Sequence, residues 1–205
     1  MTNGPDIGKA ALRQQIRALL KAMPSERRAA LSKQACMLLE KQAAWQKART
    51  IFFYAPLPEE VDIWPLLRDS VAAKKTVALP RFDSATGRYV ACEIGDLAHD
   101  INNGQYGIRE PSGHCIAIPP NRLDLILVPG VAFDTHGRRL GRGKGFYDQL
   151  LVSVRGTTCG VAFDEQIVEA VPVEPHDVRL KCILTPTRWI ERERFEGRGT
   201  RDLSP

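Results

Sequence analysis

The chain reads as an α/β protein, a single-domain three-layer αβα arrangement with a mostly parallel central sheet. Three observations predict this. Short apolar runs alternate with longer stretches of helical spacing, the pattern left by parallel strands joined through crossover helices. The run Leu125–Val128 is apolar without alternation and is closed by Pro129-Gly130, as a strand buried on both faces would be. Several apolar runs end in loop-type residues: Tyr54-Ala55-Pro56, Leu79-Pro80-Arg81, Val128-Pro129-Gly130 and Ala162-Phe163-Asp164. Ligands of open sheets bind beyond the carboxyl ends of the strands, so these segments are expected to converge on a site.

The elements follow in chain order. Ile7–Met23 places Ile7, Ala11, Leu12, Ile16, Leu19 and Leu20 at helical spacing, and Met23-Pro24 breaks it. Ser25–Lys47 predicts one longer helix with Leu31, Ala35, Leu38, Leu39 and Trp45 on its apolar side. Thr50–Ala55 predicts a strand, Pro56-Leu57-Pro58 turns the chain, and Asp62 is placed to cap a helix that runs to Ala73. Thr76–Leu79 predicts a second strand, ended by Pro80-Arg81. Arg88–Ile94 alternates weakly, as an edge strand or an excursion, and Asn102–Gly113 is polar and glycine-rich, a loop. A strand over Leu123–Val128, a basic glycine loop, a helix near Phe146–Val154 and strands at Thr158–Phe163 and Lys181–Thr185 complete the pattern.

Composition bounds the function. A length of 205 residues and a hydrophobic content of 43% fit one globular domain, assigned to residues 1–190, with residues 191–205 as a charged, fraying tail. No apolar run approaches the roughly 18 residues of a membrane span. The opening MTNGPDIGKAALRQQ lacks the apolar core of a secretory signal, so a cytoplasmic location is expected. Cys36, Cys92, Cys115, Cys159 and Cys182 form neither a C-x-x-C pair nor a zinc pattern and are expected to be buried free thiols. The net charge of +5 fits an anionic small molecule at least as well as nucleic acid.

The most informative stretch is Leu123–Leu150. Gly141, Arg142, Gly143, Lys144 and Gly145 alternate small residues with cations. Glycines allow a backbone to pass close to a ligand and turn its N–H groups inward, and a helix beginning at Phe146 would point its positive end the same way. This is phosphate-binding chemistry. It is not a Walker A loop, because Arg138 stands where its first glycine belongs and Gly145 follows Lys144 in place of Ser or Thr. Nor is it a dinucleotide fingerprint, since Phe146 occupies the place of the third glycine. Asp134 and Asp148 bracket the loop, and carboxylates beside a phosphate site are what magnesium requires. A loop built for a nucleic-acid backbone would gain little from them.

The block PGVAFDTHGRRLGRGKGFYD, Pro129–Asp148, resembles the P-G-x-x-F-D-x-x-G-x-R-L-G-x-G-x-G-Y-Y-D signature of the 5-formyltetrahydrofolate cyclo-ligase (5,10-methenyltetrahydrofolate synthetase) family. Five further blocks stand in the family's order: Lys9 to Arg13 as K-x-x-x-R, Phe52 to Glu60 as F-x-Y-x-P-L-P-x-E, Leu79-Pro80-Arg81, Tyr106 to Pro111, and Val173 to Asp177. The resemblance implies an enzyme that uses ATP and Mg2+ to convert 5-formyltetrahydrofolate to 5,10-methenyltetrahydrofolate, releasing ADP and phosphate. It implies a small-molecule substrate, no nucleic-acid or membrane partner, and a chain that works as a monomer.

Residue by residue, the resemblance implies that Lys144 and Arg142 act on the transferring phosphoryl group. ATP would be held by Lys9, Arg13 and the run Gly141, Arg142, Gly143, Lys144, Gly145, Phe146, Tyr147 and Asp148. The folate would meet Glu60, Tyr106, Phe146 and Tyr147, and magnesium would meet Asp148 and Asp177. Lys9 and Arg13 are four apart and share a helix face, which a solvated basic face would do equally well. Glu59 competes with Glu60 for the inward position. Asp134 either orients the loop or touches metal, and Arg81 either reaches the folate's glutamate tail or closes a strand. His136 and His176 are expected to be structural. Phe146 departs from the family's first tyrosine, so a hydroxyl contact is lost while the ring can still pack. Lys181 departs from an acidic position, which removes a third candidate carboxylate.

Overall fold

A computed structural model describes residues 8–104, 108–143, 145–174 and 177–192. Its centre is an eight-stranded sheet in the order β12-β11-β10-β7-β1-β2-β3-β6. The strands are β1 (Thr50–Phe52), β2 (Thr76–Asp83), β3 (Arg88–Ile94), β6 (Ala117–Ile118), β7 (Leu125–Pro129), β10 (Thr157–Val161), β11 (Cys182–Leu184) and β12 (Trp189–Glu191). From β11 through β10, β7 and β1 to β2 every pairing is parallel, and antiparallel strands close both edges. Two small hairpins stand apart: β4 (Ile101–Asn103) with β5 (Arg109–Pro111), and β8 (Ala132–Phe133) with β9 (Arg139–Leu140).

Side chains alternate across the parallel strands and split the core in two. Ile51, Val77, Leu125, Leu127, Cys159 and Leu184 face a layer built by α1 (Lys9–Ala22), α2 (Ser25–Glu40), α3 (Ala43–Lys47) and α4 (Trp64–Ala72). Phe52, Ala78, Ile126, Val128 and Ile183 face a thinner layer, which includes α5 (Phe146–Leu151) and Phe133 of β8. The handedness of parallel crossovers explains the split. The β1–α4–β2 unit travels to one side of β1 and β7–α5–β10 to the other, and right-handed connections running in opposite directions lay their helices on opposite faces. The sheet therefore has its topological switch point between β1 and β7, where a crevice opens.

α1 buries Leu12, Ile16 and Leu20, one residue per turn, and ends at Met23 before Pro24. The single helix expected over Ser25–Lys47 is two helices. Gln42 takes an extended conformation and its side-chain amide donates to the Leu38 carbonyl at 2.9 Å, which ends α2 and starts α3. The bend turns Trp45 onto Phe53, edge to face at 6.1 Å. Asp62 accepts from the Trp64 N–H at 2.9 Å at the start of α4, the end expected of it.

β2 runs through Pro80 instead of stopping there. The Thr76 N–H donates to Arg49 O and the Phe53 N–H to Ala78 O, so the even positions of β2 face β1. Pro80 is the next even position, and β1 has already ended, so its missing N–H breaks no ladder bond. Arg88–Ile94 is the antiparallel partner of β2 across the full length of the strand. The segment expected as a loop over Asn102–Gly113 contains β4 and β5, and Arg81 fastens it by donating to the carbonyls of Ser112, Gly113 and Cys115 at 2.8, 3.2 and 3.1 Å. That engages Arg81 Nη1 in a structural contact. Lys181 likewise spends its ammonium on the carbonyls of Arg155 and Gly156. All five cysteines are free and buried, as expected. β12 reaches Glu191, where the expected tail begins, and residues 193–205 lie outside the described residues.

Gly160 of β10 faces the thin layer, where an added Cβ would lie 2.6 Å from the Phe133 ring and 2.9 Å from Leu180. Gly160→Ala is therefore expected to lower unfolding free energy by roughly 1–3 kcal/mol through overpacking. Urea unfolding with an unchanged m-value checks it, and a stability equal to the parent would show that Phe133 yields freely.

Candidate active site

The crevice at the switch point is a cavity of about 680 Å³. Tyr54 and Ala55 after β1, Pro80 of β2, and Pro129-Gly130 at the end of β7 form its floor. Three of the four segments singled out in the sequence thus meet here, two at strand ends and one, Leu79-Pro80-Arg81, inside β2. α1 supplies Lys9 and Arg13 from one side. The span Gly141–Gly143 and the start of α5 close another, with Arg142, Gly145, Phe146, Tyr147 and Asp148 in the wall. Glu174 and Asp177 come from the segment that precedes β11.

The glycine loop is held at both ends. Before it, the Arg13 Nε donates to the Gly141 carbonyl at 2.9 Å. After it, Gly145 has φ +65° and Gly143 has φ +104°, left-handed values that side chains rarely adopt. α5 is only six residues long, so its dipole adds little at this end of the cavity. Lys144 and Tyr106, both expected in the site, lie outside the described residues, as does His176.

Opposite charges pair around the cavity. Arg139 Nη2 donates to Asp148 Oδ1 at 2.8 Å, with the arginine side chain 4% and the aspartate 18% exposed. The same guanidinium lies 5.7 Å from the centre of the Tyr147 ring. Arg142 Nη2 donates to Glu60 Oε1 at 2.9 Å, while the Leu57 N–H donates to Glu60 Oε2 at 3.0 Å. Lys9 Nζ lies 3.0 Å from Asp177 Oδ2 and 3.3 Å from Glu174 Oε2. Glu60, and not the exposed Glu59, turns inward. Arg17, one turn beyond Arg13, is exposed and absent from the wall.

Aromatic rings line the other end. Phe146 packs edge to face on Tyr89 at 4.8 Å and on Phe82 at 6.1 Å, so the ring keeps a packing role without a hydroxyl. Tyr147 is half-buried against Phe52 at 6.5 Å, and desolvation, followed by the Glu60 carboxylate, pushes its phenol well above the ordinary range. It stays neutral and can donate a hydrogen bond.

Asp134 lies outside the cavity. Fully buried, it accepts from the His136 and Arg138 N–H groups at 2.9 and 3.1 Å and from the Val171 N–H at 3.0 Å. It shapes the β8–β9 turn and ties it to the segment that leads to Asp177. His136 is exposed beside it, at the turn and away from the cavity. The residue that sequence reasoning passed over is Arg139. The signal was present: of Arg138 and Arg139, only Arg139 falls on the fixed arginine of the signature, and it is the one that points inward. Glu110 was passed over too, and it lines the aromatic end.

A three-layer α/β protein with a glycine-lined cleft at its switch point, walled by cations paired with carboxylates, belongs to the class whose ligands bind beyond the carboxyl ends of the strands. The family model for the 5-formyltetrahydrofolate cyclo-ligase family matches residues 6–186, and the chain belongs to this family. It is similar to 5-formyltetrahydrofolate cyclo-ligase of Escherichia coli K12, with 30% identity over 86% of this chain and 99% of that protein. It is also similar to the mouse enzyme of that name, with 28% identity over 86% of this chain and 92% of its relative. The solved 5,10-methenyltetrahydrofolate synthetase of Aquifex aeolicus superposes with a TM-score of 0.81 at 29% identity, covering 96% of each chain. The fold is shared as well by the synthetase of Mycoplasma pneumoniae, with a TM-score of 0.70 at 23% identity over 87% of this chain and 98% of that one.

The ion pairs differ in depth, and their removal should differ accordingly. Arg139→Ala strands the Asp148 charge in a largely buried place and is expected to cost about 3 kcal/mol or more. Arg142→Ala breaks a pair whose arginine is half exposed and should cost about 1 kcal/mol or less. Chemical denaturation of the two variants side by side checks the order, and equal losses would contradict it.

Proposed function

We propose that this chain converts 5-formyltetrahydrofolate to 5,10-methenyltetrahydrofolate with ATP and Mg2+, releasing ADP and phosphate. The observation that carries the reading is the two-ended character of the cavity: a glycine-lined end from α1 and the loop before α5, rich in cations and their carboxylate partners, and an aromatic end beside β2, β3 and β5. A molecule with a phosphate tail and a flat ring partner fits such a cleft from end to end.

A formamide oxygen is a poor leaving group, so the folate N10 cannot displace it unaided. Transfer of the γ-phosphoryl group to that oxygen makes it phosphate. N10 then bonds to the formyl carbon, its proton departs, the C–O bond breaks, and phosphate leaves with the electron pair. The protein's task is alignment and neutralisation of developing charge. In this reading Lys9, Arg13, Arg142 and Lys144 gather around the phosphates, with the backbone of Gly141, Gly143 and Gly145 as cradle and the start of α5 at Phe146 and Tyr147 beside it. Glu60, Tyr106 and the rings of Phe146 and Tyr147 receive the folate.

The donor set fits magnesium, which takes carboxylate oxygens together with phosphate oxygens. Asp148 and Asp177 would hold it, and the ion would neutralise phosphate charge. Both carboxylates are paired with cations, Asp148 with Arg139 and Asp177 with Lys9. Lys9 can exchange a carboxylate for a phosphate without losing an anionic partner, which frees Asp177 at the same moment. Arg139 is too buried to leave and sets the direction of the Asp148 carboxylate.

Purified protein supplied with 5-formyltetrahydrofolate, ATP and magnesium is expected to generate the near-UV absorbance of the methenyl product, and its absence at every enzyme concentration would refute the reading. Lys144→Ala is expected to lower turnover by about 10²–10³-fold, the scale of a positioned transition-state contact. Its unfolding free energy should move by no more than about 0.5 kcal/mol, as for an ordinary surface substitution. Asp148→Asn keeps a hydrogen-bond acceptor for Arg139 and removes the charge, so half-maximal activity should demand more magnesium. An unchanged magnesium titration would remove Asp148 from the ion's coordination.

A further inference from the structure

Among the described residues, five carboxylates line the cavity: Glu60, Glu110, Asp148, Glu174 and Asp177. Four of them have a cation, with Arg142 on Glu60, Arg139 on Asp148, and Lys9 shared by Glu174 and Asp177. Glu110 has none among the described residues. Its position is nonetheless built. β5 alternates, sending Arg109 outward to lie 4.9 Å from the centre of the Trp64 ring and Glu110 inward to the cavity beside Ile108. Gly104 of the facing arm lets the carboxyl in, since a Cβ there would stand 2.5 Å from the Glu110 Cδ. Burial holds the carboxyl above its ordinary range, countered by a hydrogen bond from the Phe82 backbone N–H.

An acid kept half-buried without a cation among the described residues is unfavourable by itself and calls for donors from elsewhere. A phosphate tail has no donor to offer. A reduced pterin presents several ring N–H groups and an amino group. Glu60 already gives one oxygen to Arg142 and the other to the Leu57 N–H. Glu110, at the aromatic end, accepts from the Phe82 amide and meets no cation among the described residues.

We propose that Glu110 is a specificity-determining residue that accepts hydrogen bonds from the N–H edge of the heterocycle seated at the aromatic end of the cavity. The proposal rests on the folate reading above and adds a second carboxylate to the recognition of the ring. It predicts a loss confined to one of the two substrates.

Calorimetric titration with 5-formyltetrahydrofolate and, separately, with ATP tests it on the parent protein, Glu110→Gln, Glu110→Ala and the outward neighbour Arg109→Ala. Loss of a hydrogen bond to a charged group corresponds to about tenfold or more in affinity. Glu110→Ala is expected to bind the folate about tenfold more weakly, with Glu110→Gln intermediate and ATP affinity unchanged within about twofold in both. Arg109→Ala should leave both affinities unchanged. Parent-like folate binding by Glu110→Gln and Glu110→Ala overturns the proposal, and so does an equal loss of folate and ATP affinity. If the alanine variant fails to fold, parent-like folate affinity in Glu110→Gln alone overturns it. A parent protein that neither binds the folate nor yields the methenyl absorbance overturns the cyclo-ligase reading instead, a separate result.

Discussion

The Arg139–Asp148 pair is the constraint from which the site's geometry follows. β9 ends at Leu140 and α5 begins at Phe146, so the glycine loop is a short bridge between them. The buried guanidinium grips the carboxylate on α5 at 2.8 Å and thereby fixes how far apart the two ends of that bridge stand. Three glycines in five residues would otherwise give a chain of large conformational freedom. Arg13 holds the Gly141 carbonyl, so the first residue of the bridge is fixed as well. The cradle proposed for this loop depends on such fixing, because donors contribute most to binding when little ordering remains to be done.

The second theme is charge held in reserve. Lys9, Arg13, Arg139 and Arg142 face one cavity, and four like charges at close range repel. Glu60, Asp148, Glu174 and Asp177 lie among them and cancel most of that repulsion. The pairs are graded by depth. Arg139 is nearly inaccessible, Lys9 is partly exposed and Arg142 is half exposed, so the outer cations can change partners while the innermost cannot. An anion entering the cleft therefore meets cations that are already oriented.

Much of this was legible in the sequence, and the reasons for success and failure are physical. The strands were visible because burial on both faces demands unbroken apolar runs, and β7 is the clearest case. The site's place was visible because loop-forming residues gather at the carboxyl ends of such strands. The break between α2 and α3 was hidden, since helical spacing continues through Gln42 and only its side-chain bond to Leu38 O reveals the bend. Pro80 misled because its effect depends on which neighbour its nitrogen faces, a matter of register that a single strand does not carry. Arg81 is chemically suited to a ligand carboxylate and is spent on three backbone carbonyls, which only the path of the following segment decides. Arg139 stood beside an equivalent neighbour, and the pleat of β9, not composition, sends one inward.

The contact between Lys9 and Asp177 joins residues 168 positions apart. α1 and the segment before β11 meet only through the tertiary fold, so no local stretch of chain can form this wall of the cleft. Whatever needs both sides of that wall binds the folded state and not the unfolded chain, and so adds to stability by mass action, to a degree set by its concentration.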